Sequence, residues 1–171
     1  MTDALESYDR ACPGDRQLTV ISKPSDDLYI QLRWRTPGDD STDDDRGTNL
    51  DLHLLHPQAQ NWFDAEYDCY SGSPTPDWGQ LDDSEDDPKL YFDDQDGAGP
   101  ESIGLNAPQN TEILQAPYLV AVRYARSVDT LDATLDYGSS FAMVSIFVDG
   151  LLSWSTELDM DMREGREMAT Q

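Results

Sequence analysis

The sequence predicts an all-β fold on three observations. Short stretches of alternating apolar and polar residues recur along the 171-residue chain, as half-buried strands require. The dipeptide Asp149-Gly150 separates two such stretches and is the strongest hairpin signal in the sequence. No amphipathic pattern of about ten residues or more indicates a helix. We therefore expect antiparallel strands that form one domain with its own core.

The predicted domain covers residues 17–156, with a polar tail or linker at 1–16 and a polar tail at 157–171. Its first strand is expected at 17–22. The second follows at 28–34, where alternate residues are apolar and should face the core: Leu28, Ile30, Leu32 and Trp34. The acidic run 39–45 that comes next is predicted to be a solvated insertion.

Residues 49–56 form the next predicted strand, with a core face made of Leu50, Leu52 and Leu54. Its opposite face carries Asp51 and His53. An aspartate is disfavoured in a strand, so Asp51 is predicted either to ligate an ion or to bond a neighbouring loop.

A zinc site at His53 and His56 is not expected, because residues three apart in a strand point to opposite faces. We expect His53 to be a packed or hydrogen-bonded imidazole.

The remaining strands are expected to surround a long irregular stretch, 71–88. Trp78 is predicted to anchor this stretch on the core, and the segment 106–117 is predicted to be a loop. The strand candidates are 61–70, 90–92, 101–105, 118–125, 141–148 and 151–154.

A net charge of −24 excludes several kinds of partner. Nucleic acids and anionic membrane surfaces both require patches of Lys and Arg. No apolar run approaches the roughly 18 residues of a membrane span. The first residues lack the features of a signal peptide, so an exported form would have its leader ahead of this sequence.

Cys12 and Cys69 are the two cysteines of the chain. They predict either a disulfide that ties the N-terminal segment to the body, as in an oxidising compartment, or two unrelated thiols.

The densest acidic feature is the turn 93–101, which contains Asp93, Asp94, Asp96 and Glu101 together with two glycines and a proline. Oxygens packed this closely repel one another unless water or a cation lies between them. The turn therefore predicts a Ca²⁺ site, with Asp51 approaching from the strand 49–56. The alternative is a solvated acidic turn in an acidic protein.

Five segments carry a family resemblance: 49–57, 67–70, 76–79, 93–101 and 147–150. Over about residues 28–155 the chain resembles unannotated β-sandwich domains of bacterial secreted proteins and surface lipoproteins, which are similar in outline to pre-peptidase C-terminal domains. The resemblance implies a jelly-roll-like antiparallel β-sandwich, an extracellular or cell-surface location and a non-catalytic role. Asn49 stands where the family pattern has an acid, so a charged ligand is not expected there.

The leading functional prediction is a non-enzymatic, calcium-stabilised module that binds a protein or a glycan. The alternative is a carbohydrate-binding module in which Trp62, Tyr70 and Trp78 stack on sugar rings; the same aromatics would otherwise fill the core and hold the loop. An enzyme is not expected, since no nucleophile elbow, phosphate-binding loop or zinc-protease motif is present.

Overall fold

A computed structural model describes residues 24–39, 47–95, 98–128, 137–160 and 168–170, and most of these residues lie in strands. The strands form two antiparallel sheets packed face to face, which confirms the predicted all-β sandwich. The elements are β1 (Leu28–Arg35), β2 (Gly47–Leu55), β3 (Asp68–Cys69), β4 (Pro88–Phe92), β5 (Glu101–Leu105), a short helix α1 (Thr111–Leu114), β6 (Leu119–Val128), β7 (Ser140–Val148), β8 (Leu151–Met160) and β9 (Met168–Thr170).

One sheet has the strand order β4-β5-β1-β7-β8 and the other the order β3-β2-β6-β9. Because alternate side chains of a strand share a face, β1, β2, β6 and β7 each contribute every second residue to the core between the sheets. Ile30, Leu32, Leu52, Val122 and Val144 are completely buried there. The predicted core faces of β1 and β2 are thus confirmed.

The hairpin between β7 and β8 turns at Asp149-Gly150, as predicted. Both residues have positive φ, 50° and 69°, the backbone that a two-residue turn between twisted strands requires. The paired strands extend as far as Ser140 and Met160. β8 therefore continues past residue 156, and Met168–Thr170 pairs with β6 as strand β9.

Two sequence-based assignments are corrected. The predicted strand 61–70 is wrong for most of its length, because only Asp68 and Cys69 pair with β2. Phe63 has a φ of 65°, which breaks an extended backbone before that point. The predicted loop 106–117 contains α1, whose first turn begins at Asn110, where the side-chain oxygen accepts two backbone N–H groups.

The predicted strand 17–22 and nearly all of the acidic run 39–45 lie outside the described residues. Among the described residues, no helix has the length and apolar character needed to span a membrane.

Candidate functional site

Three of the predicted metal ligands come together where the two sheets meet. Asp51 lies in β2, Asp93 directly follows β4, and Glu101 opens β5. One carboxylate oxygen from each lies within 4.8 Å of the other two. We call this group the acidic triad. It joins residues from the two opposed sheets through side chains alone.

Glu101 is the structural centre of the triad. It pairs with Leu32 of β1, so its side chain shares the core-facing side of the sheet. From there the carboxylate reaches β2, where Oε2 accepts the N–H of Leu52 at 2.6 Å. That edge of β2 pairs with β3 only at Leu54 and Leu55, so Glu101 supplies the acceptor that a neighbouring strand would otherwise provide.

The other carboxylate oxygen of Glu101 is the most unusual atom of the site. Oε1 is buried, in a side chain that is 1% exposed, and no N–H or O–H group of the described residues donates to it. Burial raises the pKa of Glu101 to about 9; the hydrogen bond from the Leu52 N–H opposes this shift, whereas the charges of Asp51 and Asp93 and a hydrogen bond from the protonated Glu101 to Asp93 add to it. Without a cation the carboxyl is therefore protonated at neutral pH. The triad lacks positive charge, which a bound cation would supply.

Asp51 is 5% exposed, and burial raises its pKa. The charge of His53 and, to a smaller extent, that of Arg123, its partner on β6, oppose that shift. Arg123 Nη1 lies 3.4 Å from Asp51 Oδ2, and the arginine side chain is 44% exposed. A pair this long and this open to water contributes little. Arg123 therefore leaves most of the triad's negative charge unneutralised.

The acidic turn brings Asp93 to the triad but not Asp94. Asp93 is exposed, whereas Asp94 is half-buried and lies outside the group; Asp96 lies outside the described residues. The end of the turn is fixed on β1, since Ala98 accepts the N–H of Trp34. Gly99 has a φ of 73°, and a Cβ there would lie 2.8 Å from the Trp34 ring, so glycine is required for this close approach.

A second polar group lies further along β2. His53 Nδ1 is 2.9 Å from Asp68 Oδ2, and the same oxygen accepts the N–H of Phe63 at 2.8 Å. Both side chains of this pair are buried, with His53 2% exposed and Asp68 0% exposed. Asp68 Oδ2, which already accepts the N–H of Phe63, also accepts from Nδ1 of the imidazole, so His53 carries a proton on Nδ1.

The sequence-based prediction that His53 is a hydrogen-bonded imidazole is confirmed, but its partner Asp68 was missed. Asp68 lies at the end of a segment predicted as one long strand, so its contact with β2 had no signal in the spacing. Arg123 was also missed, although it is the only charged residue in the apolar run 118–125. Its isolation in an apolar run was the available clue, whereas its place opposite Asp51 follows only from the pairing of β2 with β6.

The three aromatics proposed for sugar stacking have different environments. Trp78 is 4% exposed, packs between His56 and Tyr118, and donates its ring N–H to the carbonyl of Glu66, so it anchors the long loop as predicted. Tyr70 is half-buried and stacked on His53, with ring centroids 4.9 Å apart. Trp62 is half-buried at the surface beside the same imidazole.

Cys69 is fully buried, and its thiol donates to the carbonyl of Pro74. Burial raises the pKa of this thiol well above its usual range, so it is unreactive at neutral pH. Cys12 lies outside the described residues, and the predicted alternatives for the two cysteines stay open.

Compared with known proteins, the chain matches no protein-family model, no curated protein and no solved structure. The resemblance to β-sandwich domains of bacterial secreted proteins therefore stays a prediction, and function rests on the geometry of the site.

Proposed function

We propose that this chain is a non-enzymatic β-sandwich module stabilised by a divalent cation at the acidic triad. The observation that carries the proposal is Oε1 of Glu101, a buried carboxylate oxygen to which no group of the described residues donates. One carboxylate oxygen each of Asp51, Asp93 and Glu101 lies within 4.8 Å of the other two. A cation among them would compensate the three charges and connect β2, β4 and β5 across the sandwich.

Ca²⁺ is the ion that we propose. The triad offers only oxygen ligands, which suits a hard cation, whereas a transition metal would favour imidazole or thiolate. The nearest imidazole, His53, already uses Nδ1 for Asp68. Ca²⁺ takes six to eight oxygens, so backbone carbonyls and water would complete the shell.

The extracellular or surface location and the binding role follow from the family resemblance and are part of the proposal. Extracellular calcium modules work at dissociation constants of about 10⁻⁴–10⁻³ M, an affinity that a site with one exposed ligand can supply. The ion would fix the acidic turn against β1 and β2 and thereby hold a surface for a protein or a glycan.

A thermal melt in EDTA, in Ca²⁺ and in Mg²⁺ tests the proposal. A ligand at 100 times its dissociation constant stabilises a protein by about 2.7 kcal/mol, so we expect the melting temperature to rise by about 5 °C or more in saturating Ca²⁺. Glu101→Gln should abolish that rise. Glutamine resembles the protonated carboxyl in shape, and its oxygen still accepts from Leu52, so the variant should fold.

Glu157→Gln is the matched control, because Glu157 is exposed on β8 at the opposite edge of the same sheet. It should keep the full response to Ca²⁺. The proposal is wrong if Glu101→Gln responds as the wild type does, or if Ca²⁺, Mg²⁺ and NaCl at equal ionic strength raise the melting temperature equally.

A further inference from the structure

The outer face of the five-stranded sheet carries an ordered pattern of side chains. In β1 and β7, residues that face the core alternate with residues that point away from the other sheet. The register of β1, β7 and β8 aligns these outward side chains in four rows across the three strands. We call the outward-facing residues of 29–35, 141–147 and 152–159 the outer block. The acidic triad is on the other side of the same sheet, where Glu101 faces the core.

Two rows of the outer block end in opposite charges. Arg33 and Arg35 lie on β1, and Glu157 and Asp159 lie on β8, with one residue of β7 between the charges of each row. All four side chains are exposed, and no ion pair between described residues involves them. Neighbouring strands are about 4.8 Å apart, so the basic column and the acidic column are separated by about 10 Å.

The middle and one end of the outer block are apolar. Phe141 and Met143 separate the charged columns, and the Phe141 ring is 45% exposed. At the other end Tyr29, Phe147 and Leu152 form an apolar row, in which Leu152 is 59% exposed. Half of the large apolar side chains that are exposed in the described part of the chain lie on β7 and β8. Such a concentration on two adjacent strands indicates an interaction surface.

The pattern of the outer block is complementary to itself. Half a turn about an axis along β7 places β1 of one copy over β8 of a second copy, and β7 over β7, and leaves every row at its height. Arg33 then faces Glu157 of the second copy, and Arg35 faces Asp159 of the second copy. The apolar row faces an apolar row. Sheets that pack face to face keep their strands within about 30° of each other, which this axis allows.

A partner with a single sign of charge does not match this surface. A basic partner would meet the arginine column, and an acidic partner would meet Glu157 and Asp159 in a chain that already carries a net charge of −24. The matching surface has both signs in the reverse order, which a second copy presents. The remaining row, Gln31–Ser145–Ser155, is uncharged and can form hydrogen bonds with its own counterpart.

We propose that two copies of this chain associate through the outer block, face to face about a two-fold axis along β7. Arginine–carboxylate pairs form both sides of the interface, and Phe141 and Met143 of the two copies pack between them. Four rows on three strands supply fewer residues than the roughly 20–30 per partner of a standard interface, so we expect a reversible dimer in the micromolar range.

Sedimentation equilibrium in EDTA and about 0.15 M NaCl tests the dimer, with two charge-reversed variants. Arg33→Glu with Arg35→Glu makes both columns acidic, and Glu157→Arg with Asp159→Arg makes both basic. Each variant alone should dimerise at least tenfold more weakly than the wild type, because like charges face each other. An equimolar mixture should form a heterodimer, in which opposite columns meet again. One variant gains four negative charges and the other loses four, so this heterodimer has the total charge of the wild-type dimer.

Glu85→Arg with Glu112→Arg is the matched control. Both glutamates are exposed and lie outside the outer block, and the change in net charge equals that of Glu157→Arg with Asp159→Arg. This control should dimerise at least as well as the wild type. The outer block is refuted if the wild type is monomeric at about 1 mM, or if either charge-reversed variant alone dimerises as the wild type does. It is also refuted if the mixture of the two variants, shown to be folded by their melts, stays monomeric.

This proposal and the cation site fail in different ways. A dimer that forms in EDTA and in Glu101→Gln, in a chain whose melting temperature does not respond to Ca²⁺, would refute the cation site and support the outer block. A normal response to Ca²⁺ in a chain that stays monomeric would refute the outer block alone.

Discussion

Two buried side-chain atoms are unusual at the scale of single residues. To neither Glu101 Oε1 nor His53 Nε2 does any group of the described residues donate a hydrogen bond. Glu101 belongs to a group of three carboxylates that includes Asp51, whereas His53 is bonded through Nδ1 to Asp68. Asp51 and His53 follow one another on the same face of β2.

His56 provides a prediction at the same scale. It is 3% exposed, its Nδ1 accepts the N–H of Gln58, and burial lowers its pKa below the ordinary 6.5. In the unfolded chain His56 therefore binds a proton near pH 6.5, whereas in the folded chain it binds that proton only at a lower pH. Stability should therefore fall as the pH decreases below 6.5, by at most about 1.4 kcal/mol per pH unit from this group.

NMR can measure this titration directly, since the chain has only two histidines. The His56 Cε1–H resonance should titrate at a lower pH in the folded protein than in the same protein unfolded in urea. An equal or higher midpoint in the folded protein would contradict the prediction.

At the level of elements, β2 organises the molecule. Its core face carries Leu50, Leu52 and Leu54, and its outer face is covered as well, so Asp51 and His53 are buried too. The coverage comes from the segment between β2 and β3, which was expected to be a strand. Because this segment turns at Phe63 instead, its side chains fold over β2 and enclose the His53–Asp68 pair.

The long loop between β3 and β4 gives the prediction at this scale. Trp78 attaches the loop to the core, with a 4% exposed ring and a hydrogen bond to the carbonyl of Glu66. Trp78→Ala should lower the free energy of unfolding by about 3–5 kcal/mol, as measured by urea denaturation. Trp154→Ala, at a 40% exposed position, should cost clearly less. Equal losses in the two variants would show that Trp78 does not anchor the loop.

For the molecule as a whole, charge is the dominant property. Thirty-five acidic residues against eleven basic ones give a net charge of −24, and such an excess destabilises a compact state through self-repulsion. The acidic triad is one local part of this repulsion. Its response to ions should be separable from that of the surface. Screening of surface charge depends on ionic strength alone, whereas binding at the triad depends on the kind of cation and its ligand geometry.

Monovalent salt separates the two effects. Between about 10 mM and 1 M NaCl the Debye length falls from about 30 Å to 3 Å, so the melting temperature in EDTA should rise steadily. The wild type and Glu101→Gln should gain equally from NaCl, although only the wild type should respond to millimolar Ca²⁺. A flat dependence on NaCl would show that surface repulsion does not limit stability.

The sequence by itself determined the strands, the hairpin and the list of candidate acids. Alternation along 28–34 and 49–56, and the turn at Asp149-Gly150, are local patterns, because neighbouring residues set which face a side chain takes. Asp51 was also recognised from a local property, because aspartate is disfavoured within a strand.

Only the tertiary structure decided which of these residues meet. Asp93 and Glu101 join Asp51 because β4 and β5 lie across the sandwich from β2, whereas Asp94, next to Asp93 in the chain, lies outside the triad. His53 finds Asp68 because the backbone turns at Phe63. The physical reason is that the side chains of a strand alternate between its two faces with a period of two residues, which the local sequence shows. Contacts between sheets depend instead on strand order and on the paths of loops, which local spacing does not encode.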